Sequence, residues 1–183
     1  MTSPGDFAAV LRFWFEEIKP AQWWAVDPAF DQTIRDRFGP VHRAATLGEL
    51  SLWRSTSPGR LAEVIVLDQF SRNLCRGTPM AFAADPVALV LAQEAVAGGH
   101  DKALPADQRV FLYMPFMHSE SAVIHDQAVE LFQALGLQSN LDFELRHKAI
   151  IDRFGRYPHR NAVLGRQSTA EELEFLKQPG SSF

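Results

Sequence analysis

The stretch PGRLAEVIVLDQFSRN, residues 58–73, decides the fold class of this 183-residue chain. Its apolar residues recur at helical spacing and cover most of the circumference, which predicts a helix buried on most sides. An aromatic stripe from Phe7 through Trp14 to Ile18 predicts another helix, whose apolar face packs into the core. Alternating strand patterns and hairpin signals are absent from the sequence. We therefore predict an all-α protein of about seven or eight helices joined by short loops.

Capping signals place several of the predicted helix boundaries. Asp27-Pro28 and Asp85-Pro86 each put a capping side chain before a proline at the first helical position. The second of these helices is expected to end at Gly98-Gly99, and Ser168-Thr169-Ala170-Glu171 is interpreted as a capping box. The remaining helical stretches are expected over residues 106–118, 121–135 and 140–154.

Composition predicts one soluble domain spanning residues 1–183, or at most a closely packed pair of domains. The sequence is 46% hydrophobic and 22% charged, and a chain of this length can build a core without disulfide or metal staples. Cys75 is the one cysteine, which excludes an internal disulfide and suits a reducing compartment. We expect no signal peptide at residues 1–7 and no membrane span, because charged residues interrupt the apolar runs. These features favour a cytoplasmic protein.

The charge is unevenly distributed along the chain. The net charge of −4 and pI near 5.8 argue against nucleic-acid and membrane-surface partners. Residues 146–166, however, contain six basic residues and one acidic residue, Asp152, so this segment carries a charge of +5. All but one of the six are Arg, which suits recognition of carboxylate or phosphate groups.

A short motif occurs twice, and a poorer copy occurs once more. Residues 67–72, LDQFSR, align with residues 151–156, IDRFGR, and residues 36–39 read DRFG. Asp68 and Arg72 stand four apart on a predicted helix, as do Asp152 and Arg156, so each pair can interact along the helix. Charges on a core-facing stripe are costly unless paired. The two pairs are therefore either structural ion pairs or the lining of one internal groove.

Planar hydrogen-bonding groups surround the two motif copies. Asn73, Arg76, Arg153, Arg160 and Asn161 are all suited to an anionic ligand. Pro158 disfavours helix, so the segment His159-Arg160-Asn161 is expected on a loop that could close over a groove. The alternative interpretation is a solvated basic loop.

Polar groups also follow a break in a hydrophobic helix. Pro115 is expected to kink or end the helix just before His118-Ser119-Glu120. His118 is the best general-base candidate, with Glu120 or Asp68 to orient it, although a helix-end histidine often has only a hydrogen-bonding role. His118, Glu120, His147 and His159 could converge on a metal, but no helical spacing of ligands supports this. We expect neither metal nor cofactor.

Three motifs together resemble the bacterial domain-of-unknown-function family 924. They are LDQFSRN at residues 67–73 with Arg76-Gly77, PFMHSE at residues 115–120, and RFGR at residues 153–156 with PHRN at residues 158–161. The resemblance implies a right-handed array of helix hairpins similar to tetratricopeptide repeats, with no established activity. Tyr157, Gln167 and Ser121 depart from the residues common in the family.

Three hypotheses for function follow. The leading one is a groove that binds a small anionic or polar ligand through Arg72, Arg76, Arg156 and Arg160, with Asn73 and Asn161 setting its orientation. An acid/base hydrolase using His118 is the first alternative. A scaffold that binds a partner's peptide, as tetratricopeptide-like arrays do, is the second.

Overall fold

The protein is all-helical in the computed structural model, which describes residues 6–182. No strand occurs within this range, which confirms the predicted fold class. The helices are α1 (Phe7–Arg12), α2 (Pro28–Thr46), α3 (Ser57–Ile65, continued through residues 66–74), α4 (Asp85–Ala97), α5 (Ala106–Met117), α6 (Ala122–Leu135), α7 (Gln138–Phe154) and α8 (Ala170–Phe175). Short 3₁₀ turns lie in several of the connections.

Two helices continue through π-helical turns. Residues Phe13–Glu17 extend α1, and residues Val66–Phe70 interrupt α3 before it continues as Ser71–Leu74. A π turn adds a residue to one helical turn, which shifts the faces presented on either side, and such turns often occur at functional sites. The turn in α3 carries Asp68 and Gln69 of the first motif copy.

The predicted caps are partly confirmed. Asp27 caps α2 by accepting from the amides of Ala29 and Phe30 at 2.9 and 3.3 Å. The capping box lies one residue later than predicted, with Thr169 at the cap and Glu172 as its reciprocal partner. The prediction that Asp85 caps α4 is wrong, because Asp85 lies in the first turn and its carboxylate binds Arg72 instead.

The first compact unit comprises residues 6–76 and Met80–Pro115. An aromatic cluster fills its interior, and the ring centroids of Phe13 and Phe38, of Phe38 and Phe70, and of Trp14 and Phe70 lie 5.0, 5.1 and 5.5 Å apart. Phe13, Trp14, Phe38 and Phe70 are each at most 2% exposed. The aromatic stripe of the first helix therefore packs into the core, as predicted.

The second compact unit comprises Gly77–Pro79 and residues 116–182. Helices α6 and α7 pack against each other, and Ile150, Ile151 and Tyr157 form a core cluster that Phe154 and Phe175 cover. The prediction of one domain over residues 1–183 stays a prediction, as does the tetratricopeptide-like array. The expectation about a signal peptide concerns residues 1–7, of which residues 1–5 lie outside the described part.

One stretch in the described range, Pro79–Ala97, is long and apolar enough to cross a membrane. Length and composition are weak grounds for a span, because core helices meet the same criteria. The stretch contains Asp85 and Glu94, and a row of small side chains, Ala88, Ala92 and Ala95, is fully buried within the protein. Charged residues therefore interrupt this apolar run, as predicted, and the expectation of no membrane span stays a prediction.

Candidate functional site

The first motif copy forms a network of one arginine and two carboxylates in the first unit. Asp68 is fully buried, its Oδ1 lies 3.1 Å from Arg72 Nη1, and its Oδ2 accepts from Gln69 Nε2 at 2.6 Å. Arg72 also donates both terminal nitrogens to Asp85, at 2.9 and 3.0 Å. The predicted Asp68 and Arg72 pair is confirmed. Two carboxylates thus compensate the charge of Arg72.

Asn73 and Arg76 share a single carboxylate in the same unit. Arg76 binds both oxygens of Asp31, at 2.8 and 3.0 Å, and Asn73 Nδ2 donates to Asp31 Oδ1 at 2.8 Å. Burial acts to raise the pKa of Asp31, but the hydrogen bonds from Arg76 and Asn73 outweigh it and hold that pKa below its usual value. Asp31 stays ionised and balances the charge of Arg76.

The second motif copy is arranged differently. Helix α7 ends at Phe154 because Gly155 adopts the left-handed conformation, with φ of +69°, so Arg156 lies beyond the helix. Arg156 donates to Glu172 at 2.7 and 2.9 Å, whereas Asp152 accepts from Lys148 at 2.8 Å. The predicted pairing of Asp152 with Arg156 is therefore wrong, since it needed a helix that continues through Gly155.

Glu120 anchors the turn that follows α7. Its Oε1 accepts from the backbone N–H of Tyr157 at 2.7 Å, and Arg166 binds both carboxylate oxygens, at 2.6 and 2.9 Å. Burial favours a higher pKa, but Arg166 and the Tyr157 amide hold the pKa of Glu120 below its usual value. Glu120 therefore fixes the positions of Tyr157 and Arg166, and its role in orienting His118 stays a prediction.

Tyr157 lies at the centre of a group of basic side chains in the second unit. Its ring centroid is 5.9 Å from that of His147 and 5.6 Å from that of His159, and the Arg160 guanidinium carbon lies 4.5 Å from it. The Tyr157 hydroxyl donates to the carbonyl of Met117, the residue before His118, at 2.5 Å. We name His118, His147, Tyr157, His159 and Arg160 the His–Arg cluster.

Burial distinguishes the members of the His–Arg cluster. Tyr157 is fully buried, His147 and Arg160 are each 5% exposed, and His118 and His159 are partly exposed. The segment from residue 158 to residue 160 is a 3₁₀ turn. The burial of Arg160 and Asn161 contradicts the alternative interpretation of this segment as a solvated loop. His118 and His159 are the members of the cluster that retain partial exposure to solvent.

His147 is neutral at physiological pH. Burial lowers its pKa to about 3, and His118, His125 and His159 lie close enough that a positive charge on any of them lowers it further. Its Nδ1–H donates to the carbonyl of Phe143 at 2.7 Å, which leaves the lone pair on Nε2. A group with such a low pKa is a poor proton acceptor, so His147 acts through hydrogen bonds rather than as a general base.

A buried pair of side chains contacts the backbone next to the His–Arg cluster. His125 and Glu144 are fully buried, and His125 Nδ1 lies 2.6 Å from Glu144 Oε1. Burial raises the pKa of Glu144. His125 Nε2 donates to the carbonyl of Ser119 at 2.9 Å, which fixes the backbone directly after His118. Sequence reasoning missed both residues, although the spacing of Glu144 from His147 and Ile151, and of His125 from Ala128 and Phe132, places each on a buried helical face.

Asn161 and Arg153 bind other parts of the second unit. Asn161 is fully buried, and its Nδ2 donates to Ser168 Oγ at 3.0 Å, next to the cap of α8. Arg153 binds Glu171 through Nε at 2.9 Å. Among the residues described, no group of three or more His, Cys, Asp or Glu side chains is arranged to hold a metal ion.

Comparison with known proteins places this all-helical chain in a family without an assigned function. The family model matches residues 10–180, and the chain belongs to the family described as bacterial proteins of unknown function, DUF924. The chain is similar to the solved protein of unknown function ATU0120 from Agrobacterium tumefaciens, with 42% identity and a TM-score of 0.89. That alignment covers 93% of this chain and 96% of the other. No functionally curated protein matches the sequence.

Proposed function

We propose that the second unit binds a small anionic ligand at the His–Arg cluster. One observation carries the proposal: Arg160 is a buried residue, 5% exposed, whose guanidinium lies over the Tyr157 ring, and the imidazoles of His147 and His159 pack about the same ring. Buried arginine that stacks on an aromatic ring keeps its hydrogen-bonding fork in a fixed plane, which favours bidentate binding of phosphate or carboxylate. His118 and His159, which are partly exposed, supply further donors at the solvent side.

The second unit fits an anion better than the first. Arg72 has two carboxylates and Arg76 has Asp31, so neither group brings excess positive charge. In the second unit, the basic side chains His147, His159 and Arg160 lie together about the Tyr157 ring. A role for Arg72, Asn73, Arg76, Arg153, Arg156 and Asn161 in ligand binding stays a prediction, and so does a cytoplasmic location.

Thermal unfolding in the presence of inorganic phosphate, pyrophosphate and citrate tests this function. A ligand present at about 100 times its Kd stabilises the native protein by about 2.7 kcal/mol. For a chain of this length, such a gain raises Tm by roughly 5 to 11 °C. We expect at least one anion to produce this shift in the wild type and a much smaller shift in Arg160→Lys, which keeps the charge but loses the fork.

His159→Ala provides a second variant, because its side chain is partly exposed and its loss perturbs folding less than a change at Arg160. Lys177→Ala is the control, since Lys177 is an exposed residue of the same unit, bound to Glu174. Unchanged shifts in both Arg160→Lys and His159→Ala, or no shift with any of the anions, would contradict the proposal. Turnover of 4-nitrophenyl phosphate that His118→Ala abolishes would favour the hydrolase alternative over binding alone.

A further inference from the structure

A cleft of about 470 Å³ lies beside α7 in the second unit. This volume falls within the range of small-molecule sites. The cleft shares no residue with the His–Arg cluster, so it is a separate candidate site. The residues that matter for its chemistry are Arg146, Ala149, Ile150, Arg153, Phe154 and Phe175.

The two arginines of the cleft differ in their partners. Arg153 is held by Glu171, through Nε at 2.9 Å and Nη2 at 2.8 Å, and its guanidinium carbon lies 4.7 Å from the centroid of Phe154. Arg146 lies 5.4 Å from the centroid of Phe143, and no carboxylate in the described part of the chain lies within salt-bridge distance of it. Arg146 therefore gives the cleft an uncompensated positive charge.

The remaining walls of the cleft are apolar. Ile150 is 6% exposed, and the rings of Phe154 and Phe175 pack with their centroids 5.1 Å apart. The turn after α8 is fixed by Ser181, whose hydroxyl donates to the carbonyl of Leu176 at 3.1 Å. A ligand in this cleft would meet hydrocarbon surface with one cation at the edge.

We propose that this cleft binds a small amphipathic carboxylate, with the carboxylate on Arg146 and an aryl or alkyl body against Ile150, Phe154 and Phe175. The apolar body loses contact with water on binding, and Arg146 supplies a charge-assisted hydrogen bond. Both features are needed. A simple anion lacks the apolar contact, and an alcohol of the same shape lacks the charge.

Calorimetric titration with 4-phenylbutyrate tests the site, with acetate and 4-phenylbutanol as partial probes. We expect 4-phenylbutyrate to bind the wild-type protein at least about tenfold more tightly than either partial probe. Arg146→Gln is expected to weaken it about tenfold, and Ala149→Trp, which places a ring into the cleft from an exposed position, to abolish binding. Arg43→Gln, an exposed change in the first unit, is the matched control and is expected to have no effect.

The outcomes are decisive in either direction. The proposal would be overturned if the wild type and Arg146→Gln bound 4-phenylbutyrate with equal affinity. It would also be overturned if 4-phenylbutyrate did not bind to the wild type, or if acetate bound as tightly as 4-phenylbutyrate. Inorganic phosphate has no apolar body, so its effect on Tm tests the His–Arg cluster, whereas the loss of 4-phenylbutyrate binding in Ala149→Trp tests this cleft. A failure of anion binding at the His–Arg cluster is thus distinguishable from a failure here.

Discussion

Residues 67–72 and residues 151–156 share the same Asp, Phe and Arg positions but have different structures. In the first copy the helix continues past Ser71, so Arg72 stays one turn after Asp68 and binds it. In the second copy Gly155 occupies the position of Ser71, and the helix ends there. Arg156 therefore lies beyond the helix and binds Glu172, which lies further along the chain. One residue that permits the left-handed conformation therefore changes the partner of an arginine.

Burial separates the two copies as well. Asp68 is fully buried, whereas the side chain of Asp152 is 48% exposed and binds Lys148 and not an arginine. The second copy therefore contains a surface ion pair between Asp152 and Lys148, and its helix ends two residues after Asp152. Short sequence matches indicate local similarity only, since the surrounding packing decides which charges meet.

The largest effect is expected from Asp68→Ala. The change removes a fully buried carboxylate and leaves the Gln69 amide and Arg72 without one acceptor. We expect a loss of about 3 kcal/mol in the free energy of unfolding, at the low end for a broken buried pair because Arg72 keeps Asp85. Urea denaturation measures it.

Asp152→Ala, the equivalent change in the second copy, provides the control. We expect it to cost less than about 0.5 kcal/mol, because exposed ion pairs contribute little. Similar losses of unfolding free energy in Asp68→Ala and Asp152→Ala would contradict this expectation, because they would show that the two motif copies contribute equally to stability.

An intermediate effect is expected from Gly155→Ala. The added Cβ meets nothing within 4 Å, so the cost comes from the left-handed backbone alone, about 1–2 kcal/mol. Gly39 occupies the same motif position in the poorer copy but lies inside α2 with negative φ. At Gly39, alanine favours the helix more than glycine does, but the new Cβ is crowded by the ring of Pro40. Because these two effects oppose each other, Gly39→Ala is expected to change the free energy of unfolding by less than about 1 kcal/mol. Chemical denaturation of both variants measures this contrast, and a larger loss in Gly39→Ala would contradict it.

A pH-dependent effect is expected from Glu172→Gln, which keeps an acceptor for Arg156 but removes the charge. The Arg156 hydrogen bond, with the Thr169 amide, lowers the pKa of Glu172 to about 2 from its ordinary 4.5. A carboxylate whose pKa is lower in the folded protein stabilises it above pH 4.5 and loses that contribution as the pH falls toward 2.

The stability difference between wild type and Glu172→Gln should therefore narrow as the pH falls from about 4.5 to about 2, as measured by denaturation at several pH values. Glu174→Gln, an exposed change on the same helix, is expected to show no such narrowing. A constant difference for Glu172→Gln across this range would contradict the proposed partnership of Arg156 and Glu172.

Local sequence signals predicted the helices well because helix formation depends on nearby residues. The apolar period of residues 58–73, the Asp27 cap and the aromatic stripe of the first helix all specify structure within one or two turns. Asp85 and Arg156 were misjudged because their partners, Arg72 and Glu172, lie 13 and 16 residues away. No local pattern contains that information.

In the candidate site as well, the sequence identified some of the residues and only the structure identified the others. His118, His159 and Arg160 were selected from the sequence by side-chain type, whereas Tyr157 and the buried pair of His125 and Glu144 were not. Their importance comes from burial and from hydrogen bonds that span up to 40 residues, such as that from Tyr157 to the Met117 carbonyl.

The sequence by itself determined that this protein is all-helical, where its main helices run and which residue types are available for an anion. Helical period, capping groups and glycine conformation act over a few residues and need no tertiary contact. Only the tertiary structure decided which charges pair with each other and which are buried. Desolvation and ion pairing depend on groups that the fold brings together from distant positions. The Asp and Arg motif therefore forms a buried network at residues 67–72, whereas at residues 151–156 its Asp forms a surface ion pair and its Arg lies beyond the end of the helix.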